Sequence, residues 1–257
     1  MRVLILGDVV GEPGRRLLER FLPELRRSLN IDFVIVNGEN AAHGHGITEH
    51  IARHWLEALE ADVITTGNHA FDIKGSPAYF QREPRLLRPA NWPPDSPGRG
   101  YIKIHTNTNE EILVINLIGR IGRMGLAECP FRTADAILAR ERADVIVVDM
   151  HAEATSEKQA MGWHLDGRAS AVVGTHTHVP TIDAKILPNG TAYVSDIGMV
   201  GPYEGVIGME KDSSISRFLN VKGEKWKVAE SGLQLHGVLL ETKGRKAAHF
   251  ERVVRKI

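Results

Sequence analysis

The chain has 257 residues, of which 42% are hydrophobic and 25% charged, with 32 basic side chains balancing 32 acidic ones. That composition excludes an unstructured, highly charged chain and fits a globular protein with a sizeable core. Zero formal charge argues against a surface built for bulk attraction to duplex nucleic acid or acidic lipid, but leaves room for a local anion site.

The opening MRVLILGD has too short an apolar stretch for a signal peptide and runs into an acidic residue and a glycine-rich turn. Arg2 to Gly7 reads as a buried strand, and Gly14 to Leu29 as a helix with Leu17, Leu18, Phe21, Leu22 and Leu25 on one face. A strand follows at Asp32 to Asn37, then a loop rich in Gly and His. Thr48 is a good N-cap for a helix through Leu59, and Asp62 to Thr66 is a third strand. Continuous apolar strands alternating with helices indicate a mainly parallel sheet covered on both faces.

Trp92 to Gly100 carries too much Pro and Gly for regular structure. Tyr101 to His105 and Ile112 to Ile118 flank a polar turn and read as a hairpin. Alternation then resumes, with a helix over Thr133 to Arg142, a strand over Val145 to Met150, a helix over Ser156 to Leu165 and a strand over Ala171 to Gly174. From Tyr193 the remainder reads mostly as strands, ending in Gly237 to Thr242 and Ala247 to Val254. No linker or charge block divides the chain, so a single domain over 1–257 is expected, built as a two-sheet α/β sandwich.

Cys129 is the only cysteine, which excludes an internal disulfide and fits a reducing, cytoplasmic setting. No stretch approaches the length of a membrane-spanning helix.

What ends each strand carries the functional signal. Asp8 ends the first, Glu39 and Asn40 the second, and Asn68 and His69 the third; His151 follows the VIVVDM strand, and His176 and His178 follow AVVG. Ligand sites of open α/β sheets form beyond the carboxyl ends of their strands. Each residue alone has a plainer reading: Asp8 as a helix cap, NGEN and TGNH as turns, His151 as a satisfied strand-end histidine. His176 and His178, two apart, would lie on one side of an extended segment, which suits metal ligation. Taken together, carboxylate, amide and imidazole groups without thiolate point to a pair of borderline divalent ions.

Gly7–Asp8, Gly67–Asn68–His69, His151 after a strand and Gly174 to His178 (GTHTH) resemble the calcineurin-like metallophosphoesterase signature. NGEN in place of the second Gly-Asp motif, with Ser195 to Met209 (SDIGMVGPYEGVIGM), resembles the YmdB-like branch along nearly the whole chain. The resemblance implies a four-layer α/β/β/α sandwich of two mixed sheets and 2′,3′-cyclic-nucleotide 2′-phosphodiesterase activity. It also implies two divalent ions, iron foremost, with manganese or zinc as alternatives. Asp8, Glu39, Asn40 and His178 would hold one ion, and Glu39, Asn68, His151 and His176 the other, with Glu39 shared. The superfamily's Asp-x-His is here Asp8–Val9–Val10, and the acid usual after GNH is replaced by Ala70, with Asp72 next.

His69, beside Asn68, is placed to protonate the departing 2′-oxygen; the plainer reading is support of a ligand. Substrate is thus expected to be a cyclic nucleotide or other phosphoester, with RNA ends as a further candidate and a homo-oligomer as the expected assembly. A phosphatase of other esters and a low-turnover nucleotide- or RNA-binding regulator remain competing readings. His43 and His45 would line the cleft or sit in a polar loop, His50 and His54 belong to a helix surface, and Arg120 and Arg123 would bind phosphate or solvent.

Overall fold

A computed structural model describes residues 1–122, 124, 127–221 and 226–257. The elements run β1 (Arg2–Leu6), β2 (Asp8–Val9), α1 (Gly11–Ser28), β3 (Phe33–Asn37), α2 (Glu49–Glu57), β4 (Val63–Thr65), α3 (Ser76–Arg82), β5 (Tyr101–His105) and β6 (Glu111–Ile118). They continue with α4 (Pro130–Arg140), β7 (Val145–His151), α5 (Thr155–His164), β8 (Ala171–Thr175), β9 (Lys185–Ile186), β10 (Ala192–Val194), β11 (Met199–Pro202), α6 (Lys211–Phe218), β12 (Leu233–Lys243) and β13 (Lys246–Lys256).

Two mixed sheets form. The first has the order β2-β11-β12-β1-β3-β4, with β13 paired to β12; the second has the order β5-β6-β7-β8-β10-β9. Strand periodicity explains the layering, because successive side chains point to opposite faces. Leu4 and Leu6 of β1 and Val34 and Val36 of β3 meet Leu17, Leu18 and Leu22 of α1 and Trp55 of α2. Val3, Ile5, Phe33 and Ile35 point the other way, into a core shared with Ile112, Val114, Val145, Val147 and Val173 of the second sheet. Leu113, Ile115 and Leu117 then face Ala134, Ile137 and Leu138 of α4 and Met161 of α5. The result is the four-layer α/β/β/α sandwich. Strands buried on both faces are why the sequence shows unbroken apolar runs instead of alternation.

Some boundaries moved. Helix α1 begins at Gly11, three residues before the expected Gly14, because Pro13 sits in the first turn, where its missing N–H costs nothing. Helix α4 likewise begins at Pro130, not Thr133, and ends at Arg140. Thr48 caps α2 as expected, accepting the Ile51 N–H at 3.2 Å. Helix α3 was unexpected; its seven residues are too few to display a stripe, although Tyr79 and Phe80 are buried. The C-terminal region is also less purely β than expected. Helix α6 interrupts it; it is eight residues long and buries only Ser213 and Ser214, leaving Ile215 and Phe218 exposed, so no core-facing stripe marks it.

Candidate functional site

In the first sheet β1, β3 and β4 run parallel, and in the second β6, β7 and β8 do. Their carboxyl ends deliver Asp8, Glu39–Asn40 and Asn68 from one sheet and His151 and His176–His178 from the other. The capping alternative for Asp8 falls, since α1 is capped by Val10 without any side-chain bond. Asp8, Glu39 and His151 are essentially inaccessible to solvent.

The geometry fixes each side chain's tautomer or orientation, and so shows where its unshared electrons point. The Nδ1–H of His178 donates to the Ile207 carbonyl at 2.8 Å, leaving Nε2 a lone pair. That lone pair faces Asn40 Oδ1 at 3.1 Å, and the Asn40 amide is oriented by Nδ2 donating to the Gly44 carbonyl at 3.0 Å. Asp8 Oδ1 stands 3.9 Å from the same nitrogen and is buried without a hydrogen-bond partner, whereas Oδ2 accepts the His176 N–H at 3.1 Å. Three potential ligand atoms converge here, Asn40 Oδ1, His178 Nε2 and Asp8 Oδ1.

A second convergence adjoins it. The Thr175 hydroxyl donates to Asp149 at 2.7 Å, so it accepts from His151 Nδ1–H at 2.9 Å, and His151 Nε2 is again a lone pair. Nε2 faces Asn68 Oδ1 at 3.3 Å, His176 Nδ1 at 3.1 Å and Glu39 Oε1 at 3.6 Å. His176 Nε2–H donates to Glu153 at 3.0 Å, which leaves its Nδ1 as an acceptor too. The Glu39 carboxylate is braced from behind by the backbone N–H groups of Gly67 and His69, the latter at 2.6 Å.

Facing lone pairs repel unless a cation lies between them, and the titration behaviour agrees. Burial pushes the Asp8 and Glu39 carboxyls well above the ordinary carboxylate range, helped at Asp8 by the nearby Asp196 charge. Burial also drives His151 far down and His178 down to about 4. Burial thus penalises the charged form of each group, carboxylate and imidazolium alike, and a divalent cation among them would stabilise the carboxylates without protonating an imidazole. The donor set, two carboxylates, two amide oxygens and three imidazoles, fits borderline divalent cations. Among the described residues no three His, Cys, Asp or Glu form a metal-holding cluster by themselves; the amide oxygens of Asn40 and Asn68 each face an imidazole of the two convergences.

One expectation is corrected. The GTHTH segment is not extended: His176 has φ 97° and His178 φ 63°, left-handed values that non-glycine residues rarely adopt. The turn sends the two imidazoles to different convergences instead of one. Residues the sequence did not single out hold this strained turn. Asp196 accepts from the Thr177 N–H at 3.1 Å, the Thr177 hydroxyl at 2.7 Å and the buried Lys158 ammonium at 2.8 Å. Asp149, oriented by Thr65, Thr175 and Asn37, sits behind His151, and burial raises its carboxyl to about 6. Gly67 is required by close approach, since a Cβ there would lie 2.1 Å from the His151 ring. These residues look like ordinary core and turn positions in sequence; only SDIG, noticed for its resemblance, marked Asp196.

His69 lies at the rim, and its Nδ1 sits 2.6 Å from Asp72 Oδ2. The missing acid after GNH is thus supplied two positions further on. His45 is also at the rim, its ring 6.4 Å from that of His69, while His43 is simply exposed. His50 and His54 are on the α2 surface, with His54 beside Glu19 at 3.4 Å. Arg120 is exposed, its backbone N–H held by Glu157; Arg123 lies outside the described residues. No helix among the described residues is long and apolar enough to cross a membrane.

Known proteins share this architecture. A Bacillus subtilis protein named 2′,3′-cyclic-nucleotide 2′-phosphodiesterase is 47% identical over 99% of this chain and 97% of its own length. A putative phosphatase/phosphodiesterase of Mycoplasma pneumoniae is 35% identical over 94% of this chain and 87% of its own. Among solved structures, a hypothetical protein from Thermus thermophilus superposes with a TM-score of 0.93 at 41% identity, covering 100% of this chain and 99% of that one. A crystal structure described as a novel phosphatase from Mycoplasma pneumoniae also reaches 0.93, at 33% identity over 100% of this chain and 93% of that one. Residues 4–253 match the family described as YmdB-like protein, and with that near-complete match the chain belongs to the YmdB-like family.

Proposed function

We propose that this chain is a metal-dependent phosphodiesterase that hydrolyses the 2′ P–O bond of 2′,3′-cyclic nucleotides. Phosphoester hydrolysis is the reaction class of its named relatives, and the Bacillus subtilis relative's name supplies the cyclic-nucleotide substrate. The observation that carries the reading is the pair of adjoining convergences, where seven side chains turn carboxylate, amide and imidazole groups toward one another. Asp8, Asn40 and His178 would hold one divalent cation and Asn68, His151 and His176 the other, with Glu39 shared; iron is the foremost candidate, then manganese or zinc. Such cations would supply a low-pKa water and offset negative charge on the phosphoryl oxygens.

The chain's own residues do the rest. Glu39, gripped by two backbone N–H groups, fixes the spacing of the two groups of ligands. Burial of Asp8, Glu39 and His151 keeps competing water from the donor atoms, which strengthens every charge interaction there. His69 offers Nε2–H to the leaving 2′-oxygen while Asp72 receives Nδ1–H and stabilises the imidazolium before transfer. The apolar core that both sheets share supports reading 1–257 as a single domain, and the lone thiol fits the proposed cytoplasmic setting.

With manganese or iron added, 2′,3′-cyclic AMP is expected to be turned over well ahead of 3′,5′-cyclic AMP and p-nitrophenyl phosphate. Preference for the phosphomonoester would favour a general phosphatase, and metal binding without turnover a regulator. Asp72→Asn is expected to lower kcat about tenfold with KM little changed, because the imidazole loses its orienting carboxylate. Combining it with His69→Ala should add nothing further; additive losses in the double variant would separate the two residues.

A further inference from the structure

Outside the hydrolytic site, a groove of about 770 Å³ runs between the loop after Arg88, the start of β5 and helix α4. Its walls include Arg88, Trp92, Tyr101, Arg120, Arg132 and Arg140, against one carboxylate, Glu128. None of the four arginines makes an ion pair among the described residues. Arg88 is 7% exposed and shapes the groove floor: Nη1 donates to the Pro89 carbonyl at 2.7 Å and the Ala90 carbonyl at 3.4 Å, Nη2 to the Ser96 carbonyl at 3.4 Å, and Nε is buried with no hydrogen-bond partner. Burial alone lowers its basicity, with no anion nearby to restore it. A chain with no net charge thus places three exposed guanidinium groups, those of Arg120, Arg132 and Arg140, along one groove.

The cations form a line, not a point. Arg132 and Arg140 are two helical repeats apart on α4, about 12 Å along its axis, on the same face as Ala136 of the groove wall. Trp92 and Tyr101 are half-buried, leaving part of each ring accessible. A basic groove with interleaved aromatic rings is how single-stranded nucleic acid is held, backbone on the cations and bases on the rings. One end of the groove also adjoins the rim of the hydrolytic site through neighbouring residues. Trp92 packs on Phe71, two residues from His69, with ring centroids 5.0 Å apart. Arg120 follows the end of β6, where Ile118 pairs with His151, and a Cβ on nearby Gly122 would lie 3.3 Å from Glu153, the partner of His176.

We propose that this groove holds the backbone of a single-stranded RNA whose 3′ end lies at the hydrolytic site, so that the substrate is an oligoribonucleotide ending in a 2′,3′-cyclic phosphate. The inference rests on the activity proposed above. In such an end the 2′ and 3′ oxygens are both taken by the cyclic ester, so the remaining chain leaves through the 5′ oxygen and needs a path away from the metals. The arginine line provides it.

The test compares wild type with Arg132→Ala/Arg140→Ala, both exposed positions, on 2′,3′-cyclic AMP and on an RNA of about ten nucleotides ending in 2′,3′-cyclic phosphate. Loss of two phosphate contacts should raise KM for the RNA about tenfold or more while kcat/KM for the mononucleotide stays within about twofold. Binding of a fluorescein-labelled RNA with a plain 3′-hydroxyl should weaken in parallel. Its salt dependence should shallow by about 1.4 in log–log slope, about 0.7 for each phosphate contact removed. Unchanged RNA binding, or equal loss on both substrates, overturns the proposal. Should wild type hydrolyse neither compound, the activity reading fails, and the labelled RNA still decides the groove independently.

Discussion

Glu39→Ala is expected to lose bound metal and turnover together. The Glu39 carboxylate is 1% exposed and so is shielded from bulk solvent; its anionic form is held by the Gly67 and His69 N–H groups and, in the proposed enzyme, by the cations in front. Alanine removes the proposed shared ligand and leaves those two donors without an acceptor, a cost of about 1–3 kcal/mol for a buried polar group. A fall in turnover alone could therefore reflect a loosened loop. Glu39→Gln separates the effects, because glutamine retains an acceptor oxygen but not the charge. Both variants should show metal content well below wild type by elemental analysis and activity lower by about 10²–10³-fold or more. Glu39→Gln should keep a melting temperature closer to wild type. Full metal content in Glu39→Ala would remove Glu39 from the shared position.

Much of this fold was legible because the parallel strands are buried on both faces. Runs such as Val3 to Leu6 and Val145 to Val148 have no polar face to blur them, and their turns carry the polar residues. The elements that escaped were those whose stability is tertiary. Helix α3 is held by Tyr79 and Phe80 reaching into the first sheet's helix-side core, with Phe71 against Phe80 edge-on at 5.2 Å, contacts that no seven-residue window displays. Helix α6 leaves its apolar residues, Ile215 and Phe218, exposed, and its length of eight residues displays little periodicity.

The same distinction divides the site. Asp8, Asn68, His151 and the GTHTH histidines were visible because chemistry-bearing residues at several strand ends are improbable as packing. Their supports were not visible. Lys158 on α5, Asp149 on β7 and Glu153 after it read as a helix residue, a strand residue and a surface acid, and gain meaning only through partners distant in sequence. The conformation of the GTHTH turn was misread for a related reason. Spacing alone suggests an extended pair, but Asp196, 18 residues beyond His178, bends the segment by taking both Thr177 donors.

His69→Ala is expected to keep its metal and lose most turnover on 2′,3′-cyclic AMP, about 10²–10⁴-fold in kcat. Metal should be kept because what His69 gives to the ligand set is its backbone N–H, donated to Glu39, and alanine has the same N–H. What is lost is the imidazole at the rim, with Nδ1 committed to Asp72 and Nε2 free for a leaving oxygen. A departing ribose 2′-oxygen is a poor leaving group that needs a proton as its bond to phosphorus breaks, whereas p-nitrophenolate leaves without one. The deficit on an aryl phosphodiester such as bis-p-nitrophenyl phosphate should therefore be much smaller than on the cyclic nucleotide. A like deficit on both would instead make His69 a binding or positioning group, and near wild-type turnover on the cyclic nucleotide would leave the leaving oxygen to be protonated by solvent.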